Sequence, residues 1–381
     1  MVCVTMQQSS EVSASVQTKL APVASNSQPL HGVVETNSSS GSFGGHSPPS
    51  VVPVSAHAQT FMSVVRSVAS NRIVDAEDVD FDNYEKLGQG SIARVYKATL
   101  QGRSVAIKML RTDLRKDKKK EQLAAADMLR ELKVVVSLPS HPNIVGFFAA
   151  GLAMAENNTK QPVMVYEYLG AGSVESVFQA KRNTKSSGKT WTPPKDLSLE
   201  WCQQLFAALA FLHALETPLA HRDVKPANLL ISADMQTVKL CDFSLATPLH
   251  SRVQSYSNLP SIAGSMRYMA PEVAVNAPFS LEKTDIYSAA MTSFFLVHGR
   301  KPFTTLDANA AQDHATAGHR PAVDDAQIAA VLGLAWAVAP SKRPGAAEVA
   351  QQFGKLRAGC GQKKPSLKKR ILGKLGLTKA H

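Results

Sequence analysis

Cysteine is scarce: there are four in 381 residues, at positions 3, 202, 241 and 360, widely separated and in no metal-ligand spacing. Such a scatter argues against a disulfide framework and against a thiolate zinc site, and it suits a reducing compartment. No apolar run reaches the ~20 residues that a membrane-spanning helix requires. The longest, around Ile328–Pro340, reads as a core helix. The N-terminus has no charged start followed by an apolar block, so no secretory signal is expected. Acid is absent from one whole stretch: residues 355–381 hold nine Lys/Arg and no Asp or Glu. Much of the net charge of +12 therefore belongs to that tail. The basic balance says little about the folded part, and no nucleic-acid partner is expected.

Aromatics are nearly missing from residues 1–75, which are rich in Ser, Val, Pro and Gly, as in Ser38–Gly45 and Ser47–Pro53. With little to bury, that region is expected to be disordered. An organelle transit peptide is the alternative: the serine content allows it and the lack of arginine opposes it. From Tyr84 the texture changes. Strand-like runs appear at Ala93–Ala98, Ser104–Leu110 and Pro162–Tyr168, and periodic helical patterns follow at Leu197–Leu215 and Thr284–Val297. A strand-rich section before a helix-rich one predicts two unlike lobes. Two polar inserts, Met154–Gln161 and Lys181–Lys195, read as surface loops.

The chemistry starts at Leu87–Val95, which reads Leu-Gly-Gln-Gly-Ser-Ile-Ala-Arg-Val. Gly88 and Gly90 sit in a strand–turn–strand setting, where missing side chains let backbone N–H groups approach phosphate oxygens. An ordinary hairpin turn would use glycine equally well. Val105-Ala106-Ile107-Lys108 comes next, and a lysine inside an apolar strand must reach a partner. Glu131, on the helical segment Gln122–Val136, is the candidate, although an exposed helix acid is also plausible there. His221-Arg222-Asp223-Val224-Lys225-Pro226-Ala227-Asn228 then offers a proton acceptor, a cation and a metal-binding amide on one loop. Asp242-Phe243-Ser244 puts a second acid at a strand end. Ala270-Pro271-Glu272 and Asp285 follow, and Arg343 is a candidate partner for Glu272.

The glycine loop, Val-Ala-Ile-Lys, His-Arg-Asp-x-Lys-x-x-Asn, Asp-Phe-x and Ala-Pro-Glu, in this order, resemble the protein-kinase motif set over roughly residues 84–354. The resemblance implies an α+β, bilobal fold: a small antiparallel β lobe with one helix, and a larger, mainly α lobe. The implied division is 1–80 disordered, 84–169 small lobe, 170–354 large lobe and 355–381 basic tail. By resemblance, the ATP contacts are Leu87, Gly88, Gln89, Gly90, Ser91, Ile92, Ala93, Arg94, Val95, Ala106, Lys108, Glu167 and Leu169. Glu131 would hold Lys108, Asp223 would accept the substrate proton, and Lys225 would neutralise the γ-phosphate. Asn228 and Asp242 would hold Mg²⁺. Lys225, two residues after Asp223, and Ser265 match the serine/threonine pattern, so a protein substrate is expected. Met164–Leu169 with Tyr166 at the gatekeeper position, Gly172-Ser173, Asp285–Ser288, Gly318–Pro321, Trp336 and Arg343-Pro344 are similar to the tyrosine-kinase-like group.

There are departures from that pattern. Ala93 stands at the third loop glycine, and Ser244 stands where glycine usually follows Asp-Phe. If Ser244 needs positive φ, its Cβ costs about 1–2 kcal/mol, which would favour a nucleotide-binding pseudokinase scaffold over an active enzyme. Ser261 is the candidate activating phosphosite, with Thr247, Ser251, Ser255 and Ser257 nearby. The tail Lys363–Lys379 has apolar residues at helical spacing among lysines. It is read as a contact for an anionic membrane or acidic partner, as a nuclear import signal, or as a solvated tail. The expected location is the cytoplasm, with the nucleus as the other candidate.

Overall fold

A computed structural model of the chain describes residues 56–74, 79–90, 92–111, 113–114, 117–154, 160–183, 190–250, 265–275, 277 and 279–360. Outside these lie the first 55 residues, Ser91, the candidate phosphosites Ser251, Ser255, Ser257 and Ser261, and the tail beyond Cys360. Among the described residues, no helix is long and apolar enough to cross a membrane.

A six-stranded sheet forms the small lobe. Its strands are β1 (Ile73–Val74), β2 (Val79–Gln89), β3 (Ala93–Leu100), β4 (Arg103–Leu110), β5 (Phe147–Met154) and β6 (Lys160–Glu167), in the spatial order β1-β5-β6-β4-β3-β2. Period-two alternation assigns the faces. Val105, Ile107 and Met109 of β4 join Tyr96, Ala98, Val163 and Val165 in one apolar cluster. The opposite face of β4 therefore carries Ala106 and Lys108. Helix α2 (Lys118–Ser137) covers that side. Its N-terminus is fixed by Asp117, whose carboxylate accepts from the Lys119 and Lys120 N–H groups at 3.1 Å each, satisfying donors that the first turn leaves open.

The small lobe departs from expectation in two ways. Residues 56–74, assigned to a disordered tail, form helix α1 (Ala56–Val68) and strand β1. Ala58, Phe61, Met62 and Val65 recur at i, i+3, i+4 and i+7, and all are buried. A single well-spaced apolar stripe suffices for a helix when a partner face is waiting. Further, β1 pairs in parallel with β5 while the other pairings are antiparallel. The lobe thus has two helices and a mixed sheet rather than one helix and an antiparallel one.

The large lobe is helical. Its elements are α3 (Val174–Asn183), α4 (Lys195–His213), α5 (Pro271–Ala274), α6 (Leu281–His298), α7 (Ala308–Thr316), α8 (Ala326–Ala335) and α9 (Ala346–Cys360). Helix α6 is buried on all sides, and α4 packs against both α6 and α9. Helix α8 ends at Ala335, inside the apolar run expected to be helical as far as Pro340. Helix α9 continues six residues past the boundary expected at 354, with Leu356 packed against the core and Arg357 paired with Glu200 of α4 in the added turns. Short strands β7 (Gly172–Ser173), β9 (Leu229–Ile231) and β10 (Val238–Leu240) form a small sheet. A second pair joins β8 (Leu219–Ala220) to β11 (Thr247–Pro248). These strands frame the loop that carries Asp223.

Candidate active site

Two clusters of charge meet where the lobes face each other. In the first, Lys108 Nζ lies 2.5 Å from Glu131 Oε2 and 3.0 Å from Asp242 Oδ1. The other oxygen of Glu131 accepts from the phenol of Tyr166 at 2.8 Å. Burial alone would make the Lys108 ammonium easier to deprotonate. The Asp242 and Glu131 carboxylates outweigh it and hold the group above its ordinary pKa. Burial pushes the Glu131 carboxyl upward, against the pull of Lys108 and the phenol. Burial, reinforced by the Glu131 charge, holds the Tyr166 phenol well above its usual value, so Tyr166 stays protonated and donates.

The second cluster is centred on Asp223. Its Oδ1 accepts from Ser265 Oγ at 2.7 Å, and its Oδ2 accepts from Lys225 Nζ at 2.7 Å and Asn228 Nδ2 at 2.9 Å. Lys225 also reaches Ser265 Oγ at 3.0 Å. The loop beneath is pinned from α6, where Asp285 is 1% exposed. Asp285 accepts from the His221 and Arg222 N–H groups, both at 2.8 Å, and lies 3.0 Å from His213 Nε2. Those bonds hold Arg222 at φ 68, a left-handed conformation that a non-glycine residue adopts only when its surroundings fix it.

Asp242 is likewise left-handed, at φ 65, while Ser244 is not among the positive-φ residues. The strain expected at Ser244 therefore falls two positions earlier, on the carboxylate that faces the site. Burial would raise the Asp242 carboxyl, but the Lys108 charge and its hydrogen bond hold it well below the usual carboxylate range. Sequence reasoning also missed the Tyr166 bond to Glu131, because it depends on where α2 docks against β6.

The glycine hairpin closes the site from above. Gly88 pairs with Val95 and Gln89 with Arg94, and the Gly90 N–H donates to Ala93 O at 2.8 Å. A Cβ at Gly88 would meet nothing within 4 Å, and one at Gly90 only Ala93 O at 3.7 Å; neither residue has positive φ. Internal sterics therefore do not explain these glycines, whereas close approach of a phosphate would. Leu87 and Gln89 are exposed, Ile92 and Arg94 half-buried, and Ala93 buried at the start of β3. Ala106 pairs with Tyr166, placing it beside the gatekeeper, and Lys108 pairs with Val95 across β3.

Glu167 and Leu169 lie on the segment joining the lobes. The Glu167 carboxylate grips Lys239 of β10 at 2.7 and 2.8 Å, and its N–H donates to Gly146 O. Any ligand contact by Glu167 is thereby narrowed to its carbonyl. Leu169 is 7% exposed. Arg343 meets Glu272 through two parallel bonds of 2.6 and 2.9 Å, both side chains buried. That fork ties α5, next to Ser265, to the end of the large lobe.

Comparison with known proteins agrees with this geometry. The model of the protein kinase domain matches residues 81–353. The chain belongs to the protein kinase family. It is 27% identical over 292 residues to the serine/threonine-protein kinase VIK of Arabidopsis thaliana, covering 74% of this chain and 62% of that one. Likeness to the serine/threonine-protein kinase CTR1 of the same plant is 31% over 289 residues, covering 72% and 32%. Human mitogen-activated protein kinase kinase kinase 7 is 29% identical over 291 residues, covering 74% and 43%. The chain thus spans less than two thirds of these relatives, and the likeness to them is that of the tyrosine-kinase-like group.

Asp242 and Asn228 are the residues that would hold the divalent ion that this family uses. The Asn228 amide nitrogen is spent on Asp223, through both its carbonyl at 2.9 Å and its carboxylate, which leaves the amide oxygen as the donor. The Asp242 side chain is 36% exposed and ionised. A carboxylate and an amide oxygen are hard donors of the kind Mg²⁺ prefers, so the residues fit.

Proposed function

We propose that this protein transfers the γ-phosphate of ATP to serine or threonine hydroxyls of protein substrates. The observation that carries the reading is the hydroxyl of Ser265 donating to Asp223 Oδ1 at 2.7 Å with Lys225 beside both. Ser265 makes, with its own side chain, the bond that a substrate hydroxyl would make. In the proposed step Asp223 takes that proton as the hydroxyl oxygen bonds to the γ-phosphorus and the bond to the ADP oxygen breaks. Lys225 balances charge on the transferring group, and Lys108 contacts the remaining phosphates. Asp242 and Asn228 would hold Mg²⁺, which neutralises phosphate charge when bound. The competing scaffold reading leaned on Ser244, and the backbone there is unstrained. The cysteine pattern supports a cytoplasmic or nuclear location.

The test is labelled-phosphate transfer from MgATP to generic protein substrates by the wild type and Asp223→Asn, with phosphoamino-acid analysis. Phosphoserine or phosphothreonine is expected, and kcat should fall about a thousandfold in the variant, the scale of a lost general base. ATP binding without transfer by the wild type would support the scaffold instead.

A further inference from the structure

Helix α1 and strand β1 precede residue 81, where the family match begins, yet they are built into the core. Phe61, Met62, Val65 and Ala69 share one apolar cluster with Ala124, Ala125, Met128 and Leu132 of α2. Met128 and Leu132 flank Glu131 on that helix. Helix α2 touches α1 more extensively than it touches β4 or β5, so the helix carrying Glu131 rests chiefly on this preceding segment. The segment's other end is fixed separately. The Ala150 N–H donates to Arg72 O at 2.9 Å. A Cβ on Gly151 would stand 1.7 Å from Val74 O, so only glycine admits β1 this close to β5. One contact sits on α2 and the other on the sheet edge that α2 must face.

We propose that Ala56–Val74 is a positioning strap that holds α2 where Glu131 meets Lys108, and that its docking sets the fraction of enzyme competent for transfer. Without it, the apolar face of α2 from Ala124 to Leu132 is open to water, and α2 has to move to cover that face. Two arrangements of α2 then share the population. If ATP binds both alike, kcat follows the competent fraction while KM for ATP holds. The inference rests on the phosphotransferase reading, which wild-type activity tests separately.

The experiment uses the full chain as wild type, Val65→Asp and Gly151→Ala. It measures kcat, KM for ATP, the thermal transition and hydrogen exchange over residues 118–137. In Val65→Asp, kcat should fall about tenfold or more with KM changed less than about threefold. A synthetic peptide of residues 54–76 should restore most of that loss. Exchange over 118–137 should quicken whether or not the wild type turns over. If Val65→Asp does not melt cooperatively, Gly151→Ala carries the test through a loss in kcat of about threefold. A folded variant with unchanged kcat and exchange, or a loss that the peptide leaves in place, would overturn the strap.

Discussion

The catalytic loop and helix α2 each bring one carboxylate to the same site, Asp223 and Glu131, and they are held in opposite ways. The loop is fixed by its own backbone: two of its N–H groups are captured by Asp285, and Asn228 bonds both the carbonyl and the carboxylate of Asp223. Helix α2 carries Glu131 by side-chain packing, largely against α1, and by the reach of Lys108 and Tyr166. Backbone bonds to a buried carboxylate leave a loop one geometry, whereas an apolar contact between helices permits sliding and release. The site thus joins a rigid proton acceptor to an adjustable phosphate clamp.

The largest stability effect should come from the rigid side. Asp285→Ala removes the acceptor for two loop N–H groups and should cost about 3 kcal/mol or more, read by denaturant unfolding. On the adjustable side, Lys108→Met should lower kcat/KM about a hundredfold, the scale of a lost charge contact to the transition state. It should also change acid stability. In the wild type the folded Asp242 carboxyl titrates below its unfolded value of about 3.9. Its contribution is therefore complete above that pH and is lost as pH falls toward the folded value. Without Lys108 the folded value rises, so acid unfolding should begin at higher pH in the variant.

Tyr166→Phe keeps the ring and its edge contact with Phe147 but removes the bond to Glu131. A loss of about threefold to tenfold in kcat/KM is expected, with little change in the thermal midpoint. Ser244→Gly sharpens the comparison most finely. Were Ser244 a strained substitute for glycine, the change would raise activity. Because Ser244 is not at positive φ, glycine relieves nothing there, and activity should change by less than about twofold.

What the sequence made legible was local. The spacing of Asp223, Lys225 and Asn228 places three groups on one loop, and β alternation alone puts Lys108 opposite Val105 and Ile107. The Glu131 and Arg343 pairings could be named because buried charges require partners. Three features were hidden. The strap lies in a stretch with almost no aromatics, so its composition masked the spacing of Ala58, Phe61, Met62 and Val65. The Tyr166 bond depends on the docking of a helix 35 residues away. The positive φ falls on Asp242 and not on Ser244, which residue identity does not reveal.

The most direct test is native-state hydrogen exchange of the wild-type chain in low guanidinium, comparing residues 118–137 with 221–231. The account predicts that α2 exchanges through an opening of lower free energy, at denaturant levels where the catalytic loop stays protected. Exchange of both segments only through global unfolding, or of the loop before the helix, would contradict it.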